Sequence, residues 1–162
     1  MGSWQSLIVI DTNIFVIDLR YPRDKNFGIN KEFLNKISRS GLGVTTLVNL
    51  LEVCGILSFN LNPQQLTELF FYFSQYYRVQ VIPPPEFKQP FPALQIEDIF
   101  KTITLRTSLG DALFITTIKK YLPIANTIVS WDKEHLAGKI NIEVISPEDF
   151  LNKQNRENTI RK

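Results

Sequence analysis

At 162 residues the chain is sized for one domain, and such a length can bury roughly 70% of its unfolded surface. Hydrophobic residues make up 44% and charged residues 21%, which excludes a disordered, collagenous or coiled-coil chain. Eighteen basic against 16 acidic residues leave a formal charge of +2, so charge neither demands nor forbids a nucleic-acid partner.

Residues 7–10 form a continuous apolar run, the pattern of a strand buried on both faces of a parallel sheet. Residues 14–19 follow with a helical pattern that Pro22 stops. Asn30 is placed to cap a helix over 31–39, with Gly41 as its end. A second strand is expected at 43–45, then a helix over 47–59 with one apolar stripe. Asn62 and Pro63 open another helix through Tyr76, and a third strand covers 79–82. Pro83 to Pro92 reads as a stiff connection. Helices over 93–105 and 111–121, strands at 127–129 and 142–145, and a last helix start at Ser146-Pro147 complete the order. Residues 153–162 read as a polar, frayed tail behind a single domain over 1–152.

Strands alternating with helices predict a three-layer α/β domain around a parallel sheet. Function in such domains gathers outside the carboxyl ends of the strands. Cys54 has no second cysteine to pair with, which favours a reducing compartment. No apolar run approaches the ~20 residues of a membrane helix, and residues 7–10 are too short for a signal peptide. A cytoplasmic protein with no membrane role is expected. Residues 1–6 match the loose myristoylation pattern, and equally an ordinary chain start.

Four acids stand in unusual places. Asp11 directly follows the first strand, and Asp132 follows the fourth with two residues between. Each could simply cap the next helix. Asp111 begins a largely apolar helix, where a carboxylate also favours the helix dipole. Glu52 lies in an apolar helix, with Val48, Asn49, Gly55 and Ile56 at the neighbouring positions, so no helical ion pair supports it. It reads either as a boundary residue that reaches water or as a partly buried, unpaired carboxylate, whose cost points to a cation as its partner. Four carboxylates drawn to one sheet edge repel unless protonated or neutralised. Oxygen-only ligation suits Mg²⁺ or Mn²⁺.

The order of motifs is Asp11-Thr12-Asn13 after an apolar strand, Glu52 on the helix after the second strand, Gly110-Asp111-Ala112-Leu113-Phe114-Ile115, and Ser130-Trp131-Asp132. It resembles the PIN-domain family, and in size the VapC toxins of toxin–antitoxin pairs. The closing Pro147-Glu148-Asp149-Phe150 is similar to that family's ending. The resemblance implies a five-stranded parallel sheet with helices on both faces. It also implies an endoribonuclease that uses Mg²⁺ or Mn²⁺ held by Asp11, Glu52, Asp111 and Asp132 and leaves 5′-phosphate and 3′-hydroxyl ends. Thr12 and Asn13 match the polar pair after the first acid. Ser130 stands where the family has threonine and is expected to keep its supporting hydrogen bond. His135, at a position more often apolar, reads as packing or surface.

Arg20, Arg23, Lys119 and Lys133 are the basic residues that could meet RNA phosphates, with ordinary surface charge the plainer reading of each. The aromatic helix around Phe70 to Tyr77 is the expected surface for a homodimer or an antitoxin. Three other readings compete. A dehalogenase-like phosphatase needs a second Asp where this chain has Asn13. A PIN-like module could bind RNA or protein without cutting. An RNA-processing nuclease would act without an antitoxin.

Overall fold

The computed structural model describes residues 6–161, so all of the myristoylation-like stretch except Ser6 lies outside the described residues. The first strand, β1 (Ile8–Ile10), is central. The chain continues through α1 (Thr12–Arg20), α2 (Phe27–Ser40), β2 (Gly43–Thr46), α3 (Leu47–Leu57), α4 (Pro63–Tyr77) and β3 (Gln80–Ile82). Then come α5 (Ile96–Ile103), α6 (Leu109–Tyr121), β4 (Thr127–Val129), α7 (Lys133–Leu136), β5 (Glu143–Ile145) and α8 (Pro147–Ile160).

All five strands are parallel, in the order β3-β2-β1-β4-β5. The chain lays strands outward from β1 to one edge, then returns to build from β4 to the other. The reversal falls between β1 and β4, and open α/β sheets bind ligands at that point. The apolar run of β1 is explained by its two faces. Ile8 and Ile10 join a core with α1, α2, α3, α4 and α8, while Val9 joins a second core with α6. Alternation of side chains across the strand sends neighbours to opposite cores.

Local chemistry sets the helix ends. Thr46 and Asn49 form a reciprocal capping box at α3, and Asn62 and Gln65 form one at α4. Gly41 ends α2 in the left-handed conformation, φ 68°, which glycine adopts without a Cβ penalty. Gly43, buried in β2, is required for a different reason. An added Cβ would run into Ile37 and come within 2.8 Å of Val79. Gly43→Ala is therefore expected to cost about 1–3 kcal/mol, read as a lower midpoint in urea unfolding.

Three local expectations need correction. Asn30 does not cap α2; the helix begins at Phe27, and Asn30 is buried within it, donating to the Ile14 carbonyl at 2.9 Å. The helix expected over 93–105 is limited to α5, because Pro92 and the residues up to Gln95 hold no helical turn. The residues after Lys153, read as a polar tail, are helical and continue α8 to Ile160, anchored at its start by Phe150 and Leu151. In α4 the aromatics divide. Phe70, Phe73 and Tyr77 are buried, and Phe71, Tyr72 and Tyr76 face solvent. Among the described residues no helix is long and apolar enough to cross a membrane.

Candidate metal centre

Asp11 stands at the carboxyl end of β1, where its backbone N–H donates to the Val129 carbonyl of β4 at 3.1 Å. That bond places it directly at the strand-order reversal. One carboxylate oxygen accepts from the Thr12 N–H at 2.8 Å, so it does cap α1. The other accepts from the Ser130 hydroxyl at 2.7 Å. Ser130 Oγ in turn accepts from Asn13 Nδ2 and from the Asp132 N–H, each at 3.0 Å. Asn13 Oδ1 accepts from the Trp131 N–H at 3.2 Å. Ser130 and Asn13 thus tie the turn after β4 to the turn after β1, fixing the first and fourth acids relative to each other. Each carboxylate oxygen has two lone pairs, so these bonds orient Asp11 without exhausting it.

The second acid is linked through Thr12. Its hydroxyl donates to Glu52 Oε2 at 2.8 Å and accepts from Asn49 Nδ2 at 2.9 Å. Glu52 is solvent-exposed on α3, a boundary residue that reaches water and not a partly buried one. Asp111 occupies the third position of α6. Its N–H donates to Ser108 Oγ at 3.1 Å, and the Ser108 hydroxyl donates back to its carboxylate at 2.9 Å. Asp132 precedes α7, but its side chain makes no capping hydrogen bond. The simple capping account therefore holds for Asp11 and fails for Asp132, while Asp111 lies in the first turn of α6, capped by Ser108, where the helix dipole favours it.

All four acids line one pocket of about 190 Å³, together with Thr12, Asn13, Val16 and His135. Among the described residues no lysine or arginine forms an ion pair with any of the four. Burial pushes the Asp11 carboxyl from its ordinary 3.8 up to about 6; Ser130 and the Thr12 amide oppose the rise, and the charges of Glu52 and Asp111 add to it. A raised folded-state value means that this group favours folding most at low pH, below 3.8, and that the benefit is lost as pH rises through 6. The Asp11 carboxyl-carbon resonance of EDTA-treated protein is expected to titrate near pH 6 and to shift downward on adding Mg²⁺. A midpoint near the ordinary value without cation would contradict this.

Among the described residues, no three Asp, Glu, His or Cys side chains stand close enough to enclose one ion by themselves. The acids line an open pocket, not a closed cage. That donor set still fits Mg²⁺ or Mn²⁺, because Mg²⁺ keeps several waters and takes only one or two carboxylates directly, with substrate phosphate completing its shell. Four uncompensated carboxylates around an open pocket meet this requirement.

The basic residues are dispersed. Arg20 ends α1 and Lys119 lies near the end of α6, each about 12–14 Å of helix from the acid at its start. Arg23 lies in the loop after α1. Lys133 follows Asp132 in sequence, but its amine binds Asp149 at 3.1 Å. That contact and Ser146 hold the Asp149 carboxyl below its ordinary value. His135, read as packing or surface, is exposed and lines the acid pocket. Asn49 and Trp131 are supporting residues that the motifs did not reveal. The capping-box spacing from Thr46 was the only sign of Asn49. Trp131 Nε1 donates to buried Asn30 at 2.8 Å, anchoring the turn that carries Asp132.

Among solved structures the chain is similar to a chain of FitAB bound to a DNA fragment, with TM-score 0.54 and 15% identity over 87% of this chain and 95% of that one. It is also similar to a chain of FitAcB from Neisseria gonorrhoeae, with TM-score 0.56 and 15% identity over 88% of this chain and 99% of that one. No family model and no curated protein matches the chain by sequence. At this identity the likeness is one of fold. The chain shares with both solved structures a three-layer α/β fold around a five-stranded parallel sheet, the architecture that the resemblance to PIN domains implies.

Proposed function

We propose that this chain is a metal-dependent endoribonuclease acting as the toxin of a toxin–antitoxin pair. The observation that carries the reading is the meeting of Asp11, Glu52, Asp111 and Asp132, from four separate segments, around one pocket at the strand-order reversal. Asp11 and Asp111 would be the main holders of Mg²⁺ or Mn²⁺, with Glu52 and Asp132 completing the set directly or through water. When bound, the cation supplies activation of water and neutralisation of charge at the phosphate. Thr12, Asn13 and Ser130 orient the carboxylates through the hydrogen bonds described above. Arg20, Arg23, Lys119 and Lys133 are left as contacts for the RNA backbone, with Lys133 nearest the acids in sequence.

Asn13 argues against the phosphatase reading. Both ends of its amide are engaged, by Ser130 and Trp131, so it acts as a strut between two turns. The assemblies containing the solved neighbours, FitAB and FitAcB, support a partner protein for this chain, the antitoxin that the family resemblance implies. A role in the cytoplasm, and as a homodimer, belongs to the same reading.

The test is the chemistry of the cut ends. Incubation with labelled single-stranded RNA and Mn²⁺ is expected to leave 5′-phosphate and 3′-hydroxyl ends, with cleavage suppressed by EDTA. Cleavage should survive a 2′-deoxy substitution at the cut site, because water attacks and the 2′-hydroxyl does not. Cyclic 2′,3′-phosphate ends, or cutting that ignores EDTA, would overturn the reading.

A further inference from the structure

The acid pocket is rich in hydrogen-bond acceptors and poor in side-chain donors. Its four carboxylates, once ionised, only accept. Thr12 has one hydroxyl proton, and it goes to Glu52 at 2.8 Å. Asn13 has two amide protons, directed to Ser130 Oγ at 3.0 Å and to Asp11 at 3.5 Å. Among the described residues no lysine or arginine lines the pocket. Lys133 belongs to the same short helix as His135, but its amine is held by Asp149 at 3.1 Å. His135 differs from all of these. It is exposed and lines the pocket, and among the described residues its ring forms no hydrogen bond or ion pair.

The place of that ring is set by α7. The His135 N–H donates to the Asp132 carbonyl at 3.0 Å and closes the turn. The next residue, Leu136, is buried in the second core with Phe114 and Ile128, which anchors the helix. Asp132 and His135 are three residues apart, so they share one side of the turn. The non-bridging oxygens of an RNA phosphate also only accept. Beyond the charge that a bound cation neutralises, a phosphate in this pocket needs a directed donor to fix its orientation.

We infer that His135 is a substrate-binding residue whose ring N–H donates to a non-bridging oxygen of the scissile RNA phosphate. A neutral imidazole keeps one N–H, so the contact does not require the ring to be charged. The inference rests on the nuclease reading and adds a donor to a site otherwise built of acids.

The experiment compares His135→Phe and His135→Gln with the wild-type chain. Phenylalanine keeps an aromatic ring and removes the N–H; glutamine keeps an N–H donor and removes the ring. Initial rates on labelled single-stranded RNA with Mn²⁺ give kcat and KM, and circular dichroism checks folding. His135→Phe is expected to raise KM about tenfold or more with kcat within about threefold, the pattern of lost uniform binding. His135→Gln is expected to restore most of the loss. Mn²⁺ affinity, read from the free-ion electron paramagnetic resonance signal without RNA, is expected to be the same in all three. Wild-type kinetics in His135→Phe would overturn the inference. So would equal impairment of the two variants, which marks packing or stacking in place of a donor, or lost Mn²⁺ binding in His135→Phe, which marks a metal ligand. If the wild-type chain cuts RNA and Asp11→Asn does not, those results strike the role of His135 and leave the nuclease reading standing. A folded wild-type chain that cuts no RNA overturns both.

Discussion

Asp11→Asn is expected to lower RNA cleavage by about 10³-fold or more, with Asp111→Asn close behind, while both proteins remain folded. A divalent cation contributes several kcal/mol of transition-state stabilisation, and each factor of ten in rate corresponds to about 1.4 kcal/mol. Asparagine keeps the size of Asp11 but removes the negative charge from the centre of the hydrogen-bond network. It also places a donor where Ser130 now donates to a carboxylate oxygen at 2.7 Å. Both effects act on the cation site, and one acts on its support. Ser130→Ala separates them. It leaves all four carboxylates but removes the link among Asp11, Asn13 and the Asp132 N–H. Its expected cost is about 10–100-fold, the range for groups that orient metal ligands. Equal losses in Ser130→Ala and Asp11→Asn would show that orientation, not ligation, dominates. Full activity in either acid variant would remove the acids from the mechanism.

Asn30→Leu is expected to destabilise the protein by about 3 kcal/mol. Asn30 has no exposed surface, donates to Ile14 O at 2.9 Å and accepts from Trp131 Nε1 at 2.8 Å. Leucine is similar in size, so packing changes little. What changes is the fate of the indole N–H, left without its acceptor, at a cost of about 1–3 kcal/mol. The Ile14 carbonyl lies in a helix, and its loss adds less. Trp131 sits between Ser130 and Asp132, so the same change is expected to loosen the fourth acid and slow cleavage. The double variant Asn30→Leu, Trp131→Phe removes the donor as well. It should be more stable than the sum of the single changes implies, by about 1 kcal/mol or more. Additive losses in urea unfolding would rule out the hydrogen bond as the cause.

The positions of the four acids were legible because strands and helix starts are written in short, strong patterns. A β-branched run ending in Asp11 puts that acid at a strand's carboxyl end whatever the rest of the fold does. The same holds for Asp132 after residues 127–129. What was not legible depended on distant partners. Asn30 looks like a helix cap from its neighbours, and only the approach of Ile14 and Trp131 makes it an interior strut. The leucines beside Glu52 leave open whether it is half-buried or reaches water, and only the packed helix shows it turned to solvent and to Thr12. His135 gives no local sign that α7 will set it at the acid pocket. The tail after Lys153 is polar enough to fray, but Phe150 and Leu151 pin the start of its helix to the core.

The central claim is that these four carboxylates form a divalent-cation site. It is tested most directly by equilibrium titration of Mn²⁺ into the folded protein, followed by the loss of free-ion electron paramagnetic resonance signal. Saturable binding that Mg²⁺ competes away is expected, with loss of that binding in both Asp11→Asn and Asp111→Asn. Saturable binding that survives both substitutions, or no binding by the wild-type chain at millimolar Mn²⁺, would contradict it.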